Sequence, residues 1–240
     1  MLANVVRTDR TPRRRLGEKA RRAAILAAAQ EAFRDLPYDE VSIATVARAA
    51  HSSPALVHRY FGSKSALYQQ IVRHSIEQLL TKQTAAWADL GPEAVAWDRL
   101  AAATQTYLDH VASSPVGWSA PLRAPGEGPI QAETLRIELR HWYVSAIHDM
   151  LGITPTSASR HAVRGYLAFV DAACLSWVDD GCQPGERAAL VAMTVGALAA
   201  ALEAAQPPAQ PPANPTPAAD SRPTTRAQLR MPPPISWRPS

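Results

Sequence analysis

Between Val41 and Leu67 the chain carries three helix-start signals, spaced too closely for any long element to fit between them. Ser42 stands before Ile43-Ala44-Thr45-Val46-Ala47-Arg48-Ala49-Ala50, Ser53 before Pro54, and Ser63 before Lys64. A serine in that position accepts from the free amides of a first helical turn, and proline is favoured just inside a helix start. Gly62 ends a helix at little steric cost. The spacing predicts one short helix from Ile43 to about Ala50 and a second from Ala55 to about Phe61. A long third helix then runs through Leu67, Ile71 and Ile76 to about Trp87. Two short helices joined by a tight turn form a helix-turn-helix unit.

The register of that unit can be checked. With Ile43 as its first position, Ala47 is the small residue at which two helices cross closely. Val57 is the apolar residue that locks the second helix onto the first. His51 falls at the turn, where a positive φ is needed and glycine is preferred; histidine tolerates this conformation better than bulkier residues. A helix fits the major groove, and the second helix of the unit enters it N-terminal end first. This places Ser52, Ser53, Ala55, His58 and Arg59 toward DNA, with Arg59 able to pair with guanine in bidentate fashion. Ser42 and Thr45 suit phosphate positioning. Lys64 brings an ammonium to a helix start that already attracts phosphate. An imidazole at His58 would make a phosphate contact sensitive to pH. Tyr60 serves either the three-helix core or a phosphate contact through its hydroxyl.

Upstream, residues 1–16 form a basic arm carrying Arg7, Arg10, Arg13, Arg14 and Arg15 without an apolar period. Helical periodicity begins near Gly17, places Ile25, Ala29, Ala32, Phe33 and Leu36 on one face, and stops at Pro37. Charge follows the same division. Residues 1–64 hold 12 Lys+Arg against 6 Asp+Glu, a balance of +6; residues 65–205 stand at −5 and residues 206–240 at +3. A basic head on a mildly acidic body suits a head that meets a polyanion, with a solvated basic surface as the alternative.

Downstream, helices are expected at about 93–113, 129–151, 156–180 and 185–205. Breaks are expected at Gly91-Pro92, from Ser114-Pro115 through Gly128-Pro129, from Gly152 to Pro155 and from Gly181 to Gly185. Sustained two-residue alternation is missing, so the fold class is all-α. It comprises an N-terminal three-helix helix-turn-helix domain over 17–64 and a helical domain over 65–205. Residues 206–240 hold 11 of the 21 prolines and are expected to be an extended, disordered tail. The longest apolar stretch, Ala188 to Leu202, is read as too short to span a bilayer, and the N-terminus lacks the apolar core of a signal peptide. Two cysteines exclude a disulfide scaffold. The expectation is a cytoplasmic protein without a membrane partner.

Enzyme motifs are incomplete. Gly62-Ser63-Lys64-Ser65 lacks the strand and glycines of a phosphate-binding loop. Gly117-Trp118-Ser119-Ala120-Pro121 lacks the final glycine of a nucleophile elbow. His110, His141 and His148 are too few for a metal site. The sequence calls for no catalytic group, metal or cofactor.

The stretch Val41–Ala50, followed by Ser53-Pro54-Ala55-Leu56-Val57-His58-Arg59-Tyr60-Phe61-Gly62-Ser63-Lys64-Ser65-Ala66-Leu67, resembles the TetR family of bacterial transcriptional regulators. The likeness covers about residues 17–72. The chain departs from the family at Pro37 and His51, where the family usually has glycine. It departs at Ser52, usually apolar, and at His58, usually tyrosine. The resemblance implies a ligand-responsive repressor that binds a pseudo-palindromic DNA operator as a homodimer. A small apolar or aromatic effector in the body would release it by shifting the fourth helix. Aromatic and polar candidates for the ligand pocket are Trp97, Tyr107, His110, Trp118, His141 and Trp142, with core packing as the alternative for the aromatics. The resemblance also implies dimerisation through the last two helices. The stripes Val163, Leu167, Val170, Cys174 and Leu190, Val195, Leu198, Leu202 are read as the dimer interface, with intramolecular core as the alternative. The rival functional reading is a helical ligand-binding or interaction protein with weakened sequence-specific DNA reading.

Overall fold

The computed structural model describes residues 17–206, so the expected basic arm and nearly all of the proline-rich tail lie outside the described residues. The described residues form helices only: α1 Glu18–Asp35, α2 Ile43–Ala49, α3 Pro54–Phe61, α4 Lys64–Asp89, α5 Ala96–Ser113, α6 Pro115–Arg123, α7 Ile130–Leu151, α8 Ser157–Asp179 and α9 Arg187–Ala204. Short 3-10 turns stand at Tyr38–Glu40 and Pro184–Glu186.

The three serine caps form as their positions require. Ser42 accepts from the Thr45 amide at 3.0 Å, Ser53 from Leu56 at 3.3 Å and Ser63 from Ala66 at 3.0 Å. At the end of α1, Leu36 is already extended because it precedes Pro37. The α2–α3 turn has the bonds of a Schellman motif: the His51 amide donates to Arg48 O at 3.1 Å and the Ser52 amide to Ala47 O at 2.8 Å. Such a turn needs one left-handed residue, and His51 takes it with φ 48°.

One element departs from expectation. The stretch read as a break from Ser114 to Pro129 contains α6. Pro115 occupies the helix start, where its missing amide costs nothing, as Pro54 does in α3. Pro121 lies inside α6 and would normally discourage it. Tertiary packing overrides this, because α6 lies directly on α1. A Cβ on Gly117 would come within 2.4 Å of Phe33 O and 3.4 Å of Arg34 Cα. The Ser114 hydroxyl donates to Arg34 O at 3.5 Å instead of capping its own helix.

Two cores share α4. The head core gathers Ile25, Phe33, Val46, Val57 and Phe61 and continues through Leu67, Tyr68, Ile71, Val72 and Ile76 to Ala132 and Leu135 of α7. The body core gathers Trp87, Leu100, Leu108, Val111, Ile147, Met150, Tyr166 and Trp177.

The body core also corrects the expected dimer interface. Val163, Val170, Cys174, Leu198 and Leu202 are buried within the single chain, and Leu167, Leu190 and Val195 pack on the same cluster. Apolar periodicity marks a buried face without saying what buries it. The opposite faces of the two helices are exposed: Gly165, Ala168, Phe169 and Ala172 on α8, and Ala189, Ala192, Met193, Gly196 and Ala200 on α9. With its preceding turn, the last helix (Pro184–Ala204) spans 21 residues and is long and apolar enough to cross a membrane, contrary to the length read from sequence. In this fold it lies against α8 and α5, burying Thr194, Leu198 and Leu202.

His51→Gly removes a left-handed non-glycine residue and should stabilise the protein by about 0.5–1 kcal/mol in urea denaturation; destabilisation would show that the imidazole itself holds the turn. Gly117→Ala should cost about 1–3 kcal/mol, since a methyl group there meets backbone and α6 must lift from α1. An unchanged denaturation midpoint would mean that the seam yields freely.

Candidate nucleic-acid interface and ligand cavity

Ser42 and Thr45 at the start of α2 are solvent-exposed, as are Ser53, which caps α3, and Ala55, His58 and Arg59 within it. The Ser42 and Thr45 hydroxyls stand 2.8 Å apart, so the cap and its neighbour form one small polar cluster. Tyr60 is half-buried against the head core. Lys64 is less free than its position suggests. Its Nζ stands 4.2 Å from the centroid of the Tyr38 ring and donates to Asp39 O at 3.4 Å. Basic residues not singled out from sequence are Lys19, Arg22 and Arg48, exposed on α1 and α2. Their signal was the head's charge excess, which does not distinguish one cation from another. Arg22 also lies over the Phe61 ring at 5.0 Å.

His58 Nδ1 is 3.1 Å from Gly62 O. A carbonyl only accepts, so Nδ1 must donate and the proton of the neutral ring is committed there. Nε2 of the neutral ring is then an acceptor and cannot bond a phosphate oxygen; the protonated ring can.

Inside the body lies a cavity of about 520 Å³ bounded by α4, α5, α6, α7 and α8 and reaching Gln30, Phe33 and Arg34 of α1. Of the pocket candidates, Tyr107, His110, Trp118 and Trp142 line it, while Trp97 and His141 do not. Trp97 sits in the exposed first turn of α5 and His141 on the solvent side of α7. His148 is fully buried and satisfied, bonded to Val144 O at 2.7 Å and to the Ser159 hydroxyl at 2.9 Å. It is a core histidine.

The polar wall of the cavity was largely unseen in the sequence. The Trp118 indole donates to the Tyr107 hydroxyl at 2.9 Å, which donates to Asp171 at 3.2 Å, and Asp171 is ion-paired with Arg140. Burial and the Asp171 carboxylate hold the Tyr107 phenol well above its ordinary range. Tyr143 donates to Gln83 at 2.8 Å, and Gln83 donates to Ala103 O at 3.0 Å. Burial, with help from Lys82, lowers His110 to about 4, so it is neutral at physiological pH. Cys174 is pushed up to about 12, mainly by burial, and is an unreactive thiol.

Between cavity and head stands an aromatic cluster. The Tyr68 ring lies 4.8 Å from Phe33 and 5.0 Å from Tyr38. Its hydroxyl accepts from Arg136 at 2.9 Å on the cavity side, while Lys64 covers Tyr38 on the other.

Residues 25–71 match the family model described as bacterial regulatory proteins, tetR family, so the head is the helix-turn-helix DNA-binding domain of those regulators. The described chain also has their all-helical fold. A tetR-family transcriptional regulator from Streptomyces coelicolor is 26% identical with a TM-score of 0.69, over 79% of this chain and 83% of that chain. A TetR-like transcriptional regulator from Rhodococcus sp. RHA1 is 18% identical with a TM-score of 0.59, over 79% and 99%. NalD from Pseudomonas aeruginosa, the secondary repressor of the MexAB-OprM multidrug efflux pump, is 19% identical with a TM-score of 0.54, over 75% and 98%. No curated protein matches the sequence.

With its Nδ1 proton committed to Gly62 O, the neutral His58 ring offers DNA only an acceptor. His58→Tyr, which presents a hydroxyl donor, should raise DNA affinity in a fluorescence-anisotropy titration; an unchanged affinity removes position 58 from the interface.

Proposed function

We propose that this chain, with its TetR-type DNA-binding head on an all-helical body, is a homodimeric, effector-responsive transcriptional repressor of the cytoplasm. It binds a pseudo-palindromic operator and is released by a small, mainly apolar ligand in the body cavity. The observation that carries the reading is the coexistence of an intact helix-turn-helix with a cavity that reaches α1 and α4 of the same head. A ligand in that cavity touches the helices that position the recognition helix.

Dimerisation is supported by the exposed faces of α8 and α9. Phe169 and Met193 stand among small residues that admit close helix approach. A partner copy over this surface buries what the single chain leaves in water. Two recognition helices would then stand about 34–36 Å apart, one DNA turn. Cavity occupancy changes that spacing through α4 and through α6 against α1. Ligand and operator affinities are therefore coupled with opposite sign and equal size.

In this reading α3 supplies base contacts, with Arg59 on guanine, while Ser42, Thr45, Tyr60 and Lys64 contact phosphate. Arg59→Ala should cost about 1–3 kcal/mol at one base position and relax preference there. Lys64→Ala should weaken all sequences alike and lower the salt slope by about one. Gel shifts against the DNA upstream of the protein's own reading frame check both. Weak, sequence-blind binding at physiological salt would sink the regulator reading and favour a helical binding protein that has lost specific DNA reading.

A further inference from the structure

The chemistry of the cavity wall narrows the ligand, on the reading that this cavity is the effector site. α7 runs along it from the head outward: Gln131 at its start accepts from Ser65, while Met150 at its end joins the core around Trp87. The outward part is apolar, with Trp87, Leu100, Ile147 and Met150 on its wall. The part nearer the head carries Arg136 and Arg140, four residues apart and so on one face of α7.

The hydrogen-bond balance at that end is one-sided. Asp171 has both oxygens engaged, Oδ1 by Tyr107 and Oδ2 by Arg140. The Gln83 carbonyl is engaged by Tyr143, and the Tyr107 oxygen by Trp118. A guanidinium carries five donors. Among the described residues, Arg136 makes one hydrogen bond, to the Tyr68 hydroxyl, and one long ion pair of 3.6 Å to Glu133. Arg140 makes its one hydrogen bond to Asp171. The two guanidiniums therefore leave spare donor capacity on this wall, which an accepting group would fill. A ligand ammonium at Asp171 would instead have to share that carboxylate with Arg140.

Charge points the same way. The lining holds Arg34, Lys82, Arg136 and Arg140 against Glu31, Glu133 and Asp171. His110 adds nothing, since burial keeps it neutral. One negative charge brings the lining to balance, and a doubly charged phosphate would overshoot.

We propose that the cavity takes an amphipathic monocarboxylate, its head on Arg136 and Arg140 and its apolar body toward Trp87, Leu100 and Met150. Arginine pairs recognise carboxylates through parallel N–H bonds. The head reaches Arg136 at the point where that residue holds Tyr68. Occupancy thus competes with the contact that ties α7 to the aromatic cluster under Lys64.

Three probes of one chain length test this: decanoate, decan-1-ol and decyltrimethylammonium, each below its micellar concentration. Tryptophan fluorescence of the DNA-free full chain reads binding, since Trp87, Trp118 and Trp142 line the cavity. Decanoate should bind about ten-fold more tightly than either of the others, the size of one charge-assisted contact. Arg136→Gln should remove about that factor for decanoate and leave decan-1-ol unchanged. Arg140→Gln combined with Asp171→Asn, which leaves no unpaired charge behind, should do the same. Decanoate binding no tighter than the neutral or cationic probe, or no decanoate binding at all, overturns the proposal on wild-type protein alone. Decanoate that binds without changing operator affinity keeps the ligand class and removes the effector reading. An operator released by decan-1-ol and not by decanoate does the reverse.

Discussion

The structure depends on one helix belonging to two cores. The first half of α4 buries Leu67, Tyr68, Ile71, Val72 and Ile76 in the head, and Trp87 near its end lies in the body core. Helical backbone bonds make such a rod stiff, so neither core can shift α4 without the other responding. Tyr68 is where this sharing is most concentrated. Its ring packs on Phe33 and Tyr38 of the head, its hydroxyl holds Arg136 of α7, and one side of it faces the cavity. A second tie, α6 on α1 through Gly117, closes the same junction from the other side. Cavity and head are thus joined by two packed seams.

The head was legible because its signals are local. Ser42, Ser53 and Ser63 each cap a helix whose amides are only three residues away, and Pro54 and Gly62 act on their own φ. Even the weak point was readable: a turn that needs a positive φ met His51, and the residue adopts it at 48°. The body was legible in helix count except at α6. There two prolines and a glycine read as a break, and only contact with Phe33 and Arg34 shows why Gly117 is needed. The sequence did place the same Ser-Pro start at Ser114-Pro115 as at Ser53-Pro54.

What stayed hidden was which side of a helix meets which neighbour. The stripe Val163, Val170 and Cys174 was visible, yet it faces the chain's own core, while the small residues around Phe169 and Met193 face outward. Periodicity gives a face and no partner. The same limit hid the cavity wall. Trp97 and His141 were plausible by type and lie outside it, whereas Arg136, Arg140 and Asp171 line it. An arginine pair at helical spacing reads as a solvated face until a carboxylate from another helix, Asp171, is seen to meet it.

If two copies of this head read DNA together, selection from a random pool of duplexes by the full-length protein should enrich a site of two inverted half-sites whose centres lie about 10 base pairs, one helical turn, apart. A selected pool without enrichment, or one enriched in a single unrepeated half-site, would contradict it.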